Sequence, residues 1–230
     1  MLTSPKAYAR TCGWLYLAVI VAGVFAEMYV RGNVIVHGNP AATLQKIAAA
    51  DWLWRAGVVA NLIAGACYVA VTLMLYVLLK PAGRNVSLLA AFFSLIGVAT
   101  GAVDSLVDYA LLLVPQNADL QALILRIHGP GLDVSLLFFG IYCALIGYLI
   151  LRSGYFPKVV GGLLVLGGAC YVANTLLDFL APAFSAAVPD ITIVSGVAEL
   201  ILTVWLLVMG VDVQKWNERA CSVSPSSAAA

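Results

Sequence analysis

Apolar residues run along this chain in blocks of about twenty, separated by short groups of charged residues, proline and glycine. A helix needs about 20 mostly apolar residues to cross a hydrocarbon layer about 30 Å thick. Six blocks meet that requirement: residues 11–30, 56–79, 86–114, 134–151, 159–180 and 191–211. The second and fourth hold no charged side chain. Helix-stopping groups fall between blocks at Lys80-Pro81-Ala82-Gly83-Arg84, Gly129-Pro130-Gly131, Phe156-Pro157-Lys158 and Pro189-Asp190. The pattern predicts an all-α fold, a polytopic transmembrane bundle of six helices in a single membrane domain over residues 1–212.

Two further segments carry a helical period without the length to span. Asn39 is placed to cap a helix with Pro40 at its first position, after which Leu44, Ile47, Ala48 and Trp52 share a face. Trp52 and Trp54 suit a headgroup layer. Leu120, Leu123, Ile124 and Ile127 recur at helical spacing after Asn117, with Gly129 as a stop. Both segments read as amphipathic helices on the outer surface. The second reads equally as the start of a long fourth helix kinked at Pro130. Residues 213–230 are polar, then rich in Ser and Ala, and are expected to form a disordered cytoplasmic tail.

Composition agrees with the pattern: 63% of residues are apolar and 10% charged, against about half and a quarter in soluble domains. This excludes a soluble enzyme, a disordered chain and a nucleic-acid binder, and makes the lipid bilayer the one certain partner. Lys6, Arg10, Lys80, Arg84, Arg152, Lys158, Lys215 and Arg219 fall on one side of the membrane, and Arg31, Lys46, Arg55 and Arg126 on the other. By the positive-inside rule both termini are cytoplasmic and the protein is a multi-pass component of the plasma (inner) membrane. A signal peptide ending at Val24-Phe25-Ala26 is disfavoured, because the apolar run continues past it and cleavage would remove Glu27. Four of the five cysteines lie within spans and Cys221 in the tail, so none is placed for a disulfide outside.

Acidic residues are distributed the other way, and several fall inside spans. Asp104 and Asp108 share one face of the third span with Gly97 and Gly101. Asn174 and Asp178 line the fifth, Glu199 the sixth and Asn61 the second, while Glu27 lies near the outer end of the first and Asp133 in the first turn of the fourth. Asp104 and Glu199 are ten and eight residues from the outer ends of their spans, or roughly 12 to 15 Å deep at 1.5 Å per residue. Together these positions predict a carboxylate-lined cavity opening outward.

With no Lys or Arg inside any span, the set Asp104, Asp108 and Glu199 needs protons, a cation or a small ligand for compensation. His128 adds a nitrogen if its segment folds inward. Only His37 and His128 are present, without HExxH or a three-histidine set, so no metal is assigned and zinc hydrolysis is unsupported. No cofactor fingerprint occurs, and the cofactor and oligomeric state stay open. The leading function is binding or moving a proton, cation or small ligand. A membrane-embedded enzyme using a carboxylate as acid or base lacks a catalytic motif, and a structural or assembly subunit leaves the clustered acids unexplained. Glu27 with Arg31 and Asp51 with Arg55 are also placed to pair within their own helices.

The stretches Gly13-Trp14-Leu15-Tyr16, Tyr76-Val77-Leu78-Leu79-Lys80-Pro81, His128-Gly129-Pro130-Gly131-Leu132-Asp133 and Arg152-Ser153-Gly154-Tyr155-Phe156-Pro157 carry a resemblance. The chain resembles a bacterial membrane family known as domain of unknown function 4386, over about residues 8 to 212. The resemblance implies a compact multi-helix membrane protein and no established activity, and it carries no site residue across.

Overall fold

The computed structural model describes residues 4–36, 38–114 and 118–223, and all its regular structure is helical. In chain order the helices are α1 (Pro5–Val24), a π-helical segment (Phe25–Arg31), α2 (Gly32–Val34), α3 (Pro40–Ala49), α4 (Asp51–Leu79) and α5 (Arg84–Ala110). They continue with α6 (Ala118–Ser153), α7 (Lys158–Leu180), α8 (Pro182–Ser185), α9 (Thr192–Val208) and α10 (Val213–Val223). Five are long and apolar enough to cross a membrane, or six if α9 and the segment beyond its 100° bend are taken as one span.

Six helices pack in the closed order α1, α4, α5, α6, α7, α9 and back to α1. The larger core lies towards the termini, where Tyr16, Leu75, Leu78, Ile146, Leu149, Ile150, Leu164 and Leu206 are buried. A smaller core of Val30, Val34, Ile47, Trp54, Leu111 and Ile124 closes the opposite end beneath α3. Outward-facing positions such as Ile63, Leu73, Phe92, Leu106 and Phe179 are apolar and exposed. Such a surface belongs against lipid rather than water.

The α6–α7 pair shows how close the backbones come. A Cβ added at Gly147 would sit 2.6 Å from the Gly161 carbonyl oxygen, and one at Gly140 would sit 2.8 Å from that of Gly168. These glycines are spaced by seven on each helix, so they form one contact stripe of the small-residue kind that membrane helices use. On the next helix of the ring, the Ser195 hydroxyl donates to the Gly167 carbonyl at 2.6 Å.

Three expectations need correction. Gly129-Pro130-Gly131 does not stop a helix, because α6 is continuous through it, and residues 118–128 are its first turns rather than a separate surface helix. Proline normally drives the preceding residue out of the helical region by clashing with its Cβ, and Gly129 has none. Residues 213–223, expected in a disordered tail, form α10 instead. Gly210 turns the chain with φ 69°, the Asp212 carboxylate accepts from the Lys215 amide at 3.2 Å, and the Trp216 indole donates to the Leu78 carbonyl at 3.0 Å. Finally, Trp52 is exposed as a headgroup-layer residue would be, but Trp54 is 2% exposed inside the smaller core. The start of α3 is as expected, with Asn39 Oδ1 accepting from the Ala42 amide at 3.0 Å, but the helix ends at Ala49, so Trp52 lies on α4 instead of the predicted face, and Ala48 is exposed while Ile47 is buried. His37, Asn117 and residues 224–230 lie outside the described residues.

Candidate functional site

At the α3 end of the bundle five ionisable side chains meet from three segments. Asp104 and Asp108, one turn apart on α5, are both buried and are joined by His128 of α6, which is 6% exposed. Glu27 and Arg31 arrive from the π-helical segment. Wide turns of this kind are rare and occur often at functional sites.

The ionic contacts form a chain. Arg31 Nη1 donates to Asp108 Oδ1 and Oδ2, each at 2.9 Å, and Arg31 Nε lies 3.5 Å from Glu27 Oε2. His128 Nδ1 lies 2.8 Å from Asp104 Oδ2 and 3.3 Å from Asp108 Oδ2, while Nε2 lies 3.6 Å from Glu27 Oε2. Helix α4 braces this arrangement. Asn61 Nδ2 donates to Glu27 Oε1 at 2.8 Å, the Trp54 indole donates to the Asp108 carbonyl at 3.0 Å, and the Arg31 guanidinium carbon lies 5.4 Å from the Trp54 ring centroid. A recess of ≈ 10 Å³ beside Glu27, Arg31, Asn61 and Asp108 has room for about one water molecule.

Gly131 sets how close α5 and α6 come here. A Cβ at that position would collide with the Asp104 carboxylate. The glycine that reads as a helix stop is therefore the surface against which Asp104 packs. Two buried atoms of the centre have no hydrogen-bond partner, Asp104 Oδ1 and His128 Nδ1. His128 Nδ1 is near two carboxylate oxygens without the alignment of a hydrogen bond.

The sequence grouping of Asp104, Asp108 and Glu199 does not survive. Glu199 lies in a separate centre, where Tyr16 donates to Oε2 at 2.6 Å and Tyr171 to Oε1 at 3.0 Å, with the Tyr68 hydroxyl 3.1 Å from that of Tyr16. Among the described residues no basic side chain pairs with Glu199. The expected Glu27–Arg31 pair is present, with Nε and Oε2 3.5 Å apart, but the expectation that Asp104, Asp108 and Glu199 lie beyond reach of Lys and Arg is corrected for Asp108. Arg31 lies one position past the first apolar block, and its guanidinium turns inward over Trp54 to reach Asp108. Asn174 and Asp178 form a third, local group, with Asn174 Nδ2 donating to Asp178 Oδ2 at 2.7 Å and Ser185 bonded to the other oxygen. Asp133 takes part through its backbone, its carbonyl accepting from Thr175 Oγ1 at 3.0 Å. Asp51 and Arg55 pair with each other at 2.7 Å.

Of the predicted residues, then, Asp104, Asp108, His128, Glu27 and Asn61 come together, while Glu199, Asn174, Asp178 and the Asp133 side chain are not part of that group. Arg31, Trp54 and Gly131 complete it. The family model for the domain of unknown function DUF4386 matches residues 11–210. The chain belongs to this family. The matched DUF4386 segment includes every member of the ionised centre, from Glu27 to Gly131. A relative from Archaeoglobus fulgidus, described as an uncharacterized protein, is 29% identical over 144 residues, which is 62% of this chain and 76% of that protein. No solved structure matches the chain.

Proposed function

We propose that this DUF4386 protein binds a cation, in competition with protons, at the centre formed by Glu27, Arg31, Asp104, Asp108 and His128. The observation that carries this reading is the charge balance of a cluster in which Asp104, Asp108 and His128 are buried and the Glu27 side chain is 32% exposed. Three carboxylates face one guanidinium and one imidazole. Two negative charges remain when His128 is neutral and one when it is protonated. Uncompensated charge away from water costs several kcal/mol or more, so an added positive charge is favoured there. The basic residues at the terminal end outnumber those at the α3 end by eight to four, which supports cytoplasmic termini and a centre in the outer half of the plasma membrane. Among the described residues no nucleophile with an adjacent base accompanies the carboxylates, which favours binding or movement of an ion over an enzyme.

Thermal unfolding of the purified protein in detergent, with sodium, potassium, magnesium, calcium, manganese or zinc chloride and across the titration range of histidine, tests the reading. A cation present at about 100 times its Kd stabilises the native state by about 2.7 kcal/mol. The increase should disappear in Asp108→Asn and remain in Asp51→Asn, whose pair with Arg55 lies outside the centre. If wild type responds to no cation and shows no pH dependence beyond that of Asp108→Asn, the centre is a structural knot and the protein is better read as a scaffold or assembly subunit.

A further inference from the structure

The proposal of a cation site leaves open which cation, and the nitrogen in the cluster narrows it. One oxygen each of Asp104 and Asp108 and one nitrogen of His128 lie within 4.8 Å of one another, and all three residues are buried. Two ligands about 2.1 Å from one ion, at the tetrahedral angle, are about 3.4 Å apart. Of the separations from His128 Nδ1 to the two Oδ2 atoms, 3.3 Å is close to that value and 2.8 Å is shorter. This nitrogen and Asp104 Oδ1 are both buried with no hydrogen-bond partner, which leaves two ligand atoms of the cluster for an ion.

The surroundings supply groups that would orient the ligands. A histidine that ligates a metal usually directs its other ring N–H at a carboxylate, which fixes the tautomer. Here the other nitrogen, Nε2, faces Glu27, itself held by Asn61. Arg31 holds Asp108 in turn. Imidazole nitrogen among carboxylates suits the first-row transition ions from manganese to zinc better than magnesium or calcium, which prefer oxygen alone.

We infer that Asp104, Asp108 and His128 Nδ1 bind a divalent first-row transition metal ion, with Glu27 and Arg31 as the groups that orient the ligands. This rests on the reading of the centre as a cation site. The test is to treat the purified protein with EDTA, remove the chelator, and titrate with Co2+ while recording the visible d–d absorption, then to displace Co2+ with Zn2+. Wild type should show saturable, stoichiometric binding with a nitrogen-containing ligand field. His128→Asn and Asp104→Asn should abolish saturable binding, with folding checked by size exclusion and circular dichroism. Glu27→Gln, which leaves all three ligands in place, should weaken affinity about 10- to 100-fold, a change that a purely structural Glu27 would not produce. Wild type that fails to bind Co2+ or Zn2+ overturns the inference. If sodium, magnesium or calcium still stabilises that protein the wider cation reading stands, and if none does both fall. Unchanged Co2+ binding in a folded His128→Asn variant also overturns it, by placing the metal elsewhere.

Discussion

Gly131 offers a direct test of how the ionised centre is packed, through a double-mutant cycle with Asp104. In the wild-type background, Gly131→Ala puts a methyl group against the Asp104 carboxylate, with Cγ only 3.1 Å from the new carbon. The carboxylate must rotate away, giving up its 2.8 Å approach to His128. A contact of this charged kind contributes about 1.5 to 3 kcal/mol, while replacing glycine by alanine inside a helix returns about 1 kcal/mol. The expected net loss is about 0.5 to 2 kcal/mol. In Asp104→Ala the colliding atoms are gone and the Asp104 Cβ, 3.6 Å from the added methyl, makes an ordinary contact. There the same substitution should stabilise by up to about 1 kcal/mol. Helix propensity cancels around the cycle, which leaves a coupling of about 1.5 to 3 kcal/mol. Equilibrium unfolding in mixed detergent and SDS micelles, followed by circular dichroism, measures all four proteins. If Gly131→Ala has the same effect in both backgrounds, Asp104 does not pack on Gly131 in the way described, and the close approach of α5 and α6 has another cause.

Gly161 and Gly162 are neighbours on α7 with opposite surroundings, the first against the backbone of α6 and the second with nothing within 4 Å. Gly161→Ala should be less stable than Gly162→Ala by about 1 to 3 kcal/mol in the same SDS assay, since only the first overpacks the helix pair. Trp54→Phe keeps an aromatic ring beneath Arg31 but removes the donor to the Asp108 carbonyl, so the melting transition should fall by the equivalent of about 1 to 3 kcal/mol. Backbone amides of α10 hold the Asp212 carboxyl below its ordinary value. A lowered folded-state value means that its contribution is present above the usual aspartate range and is lost as pH falls through the folded value. Hydrogen-exchange protection factors in α10, corrected for the pH dependence of intrinsic exchange, should therefore fall on acidification in wild type, and already be low and less pH-sensitive in Asp212→Asn.

The apolar blocks are legible because crossing a membrane imposes length and composition on a contiguous stretch of chain. All six recur in the structure as helices, with bounds shifted by a few residues at most ends. What the pattern conveys about the site is depth, since position along a helix converts to distance. It conveys nothing about the order of helices around the ring. Counting from the block ends gives Asp104 and Glu199 a similar depth, yet Glu199 meets Tyr16 while the Asp104 centre includes Glu27, further along the same helix, and α5 packs on α4 and α6 while α9 packs on α1 and α7, so the two acids belong to different centres. Gly129-Pro130-Gly131 misleads for a related reason. Its residues are the local vocabulary of a stop, and only the long-range contact with Asp104 shows why the glycine at 131 is there. Arg31 was hidden by its place one residue beyond an apolar block, although its spacing from Glu27 on the same face was visible. The π-helical turn that carries both has no sequence signal that distinguishes it from the helix before it.

The two principal polar centres satisfy buried acids by different physics, and together they tie the whole ring. Glu199 is met by neutral phenolic donors from α1, α4 and α7, whereas Asp104 and Asp108 of α5 are met by charges from the π-helical segment and α6 and braced by α4. Helices α1 and α4 are common to both. Tyr16 and Glu27 lie eleven residues apart and Tyr68 and Asn61 seven, so the centres are separated by roughly 10 to 16 Å along those helices at 1.5 Å per residue. A substitution that changes charge at the α3 end acts on helices whose other half is held by Glu199. Movement of α1 or α4 in response to an ion must then either strain the tyrosine cluster or turn about it as a fixed point. The Tyr16 contact of α1 with Glu199 is short and directional at 2.6 Å, so if an ion moved that helix, turning about the Glu199 centre would cost less than breaking it.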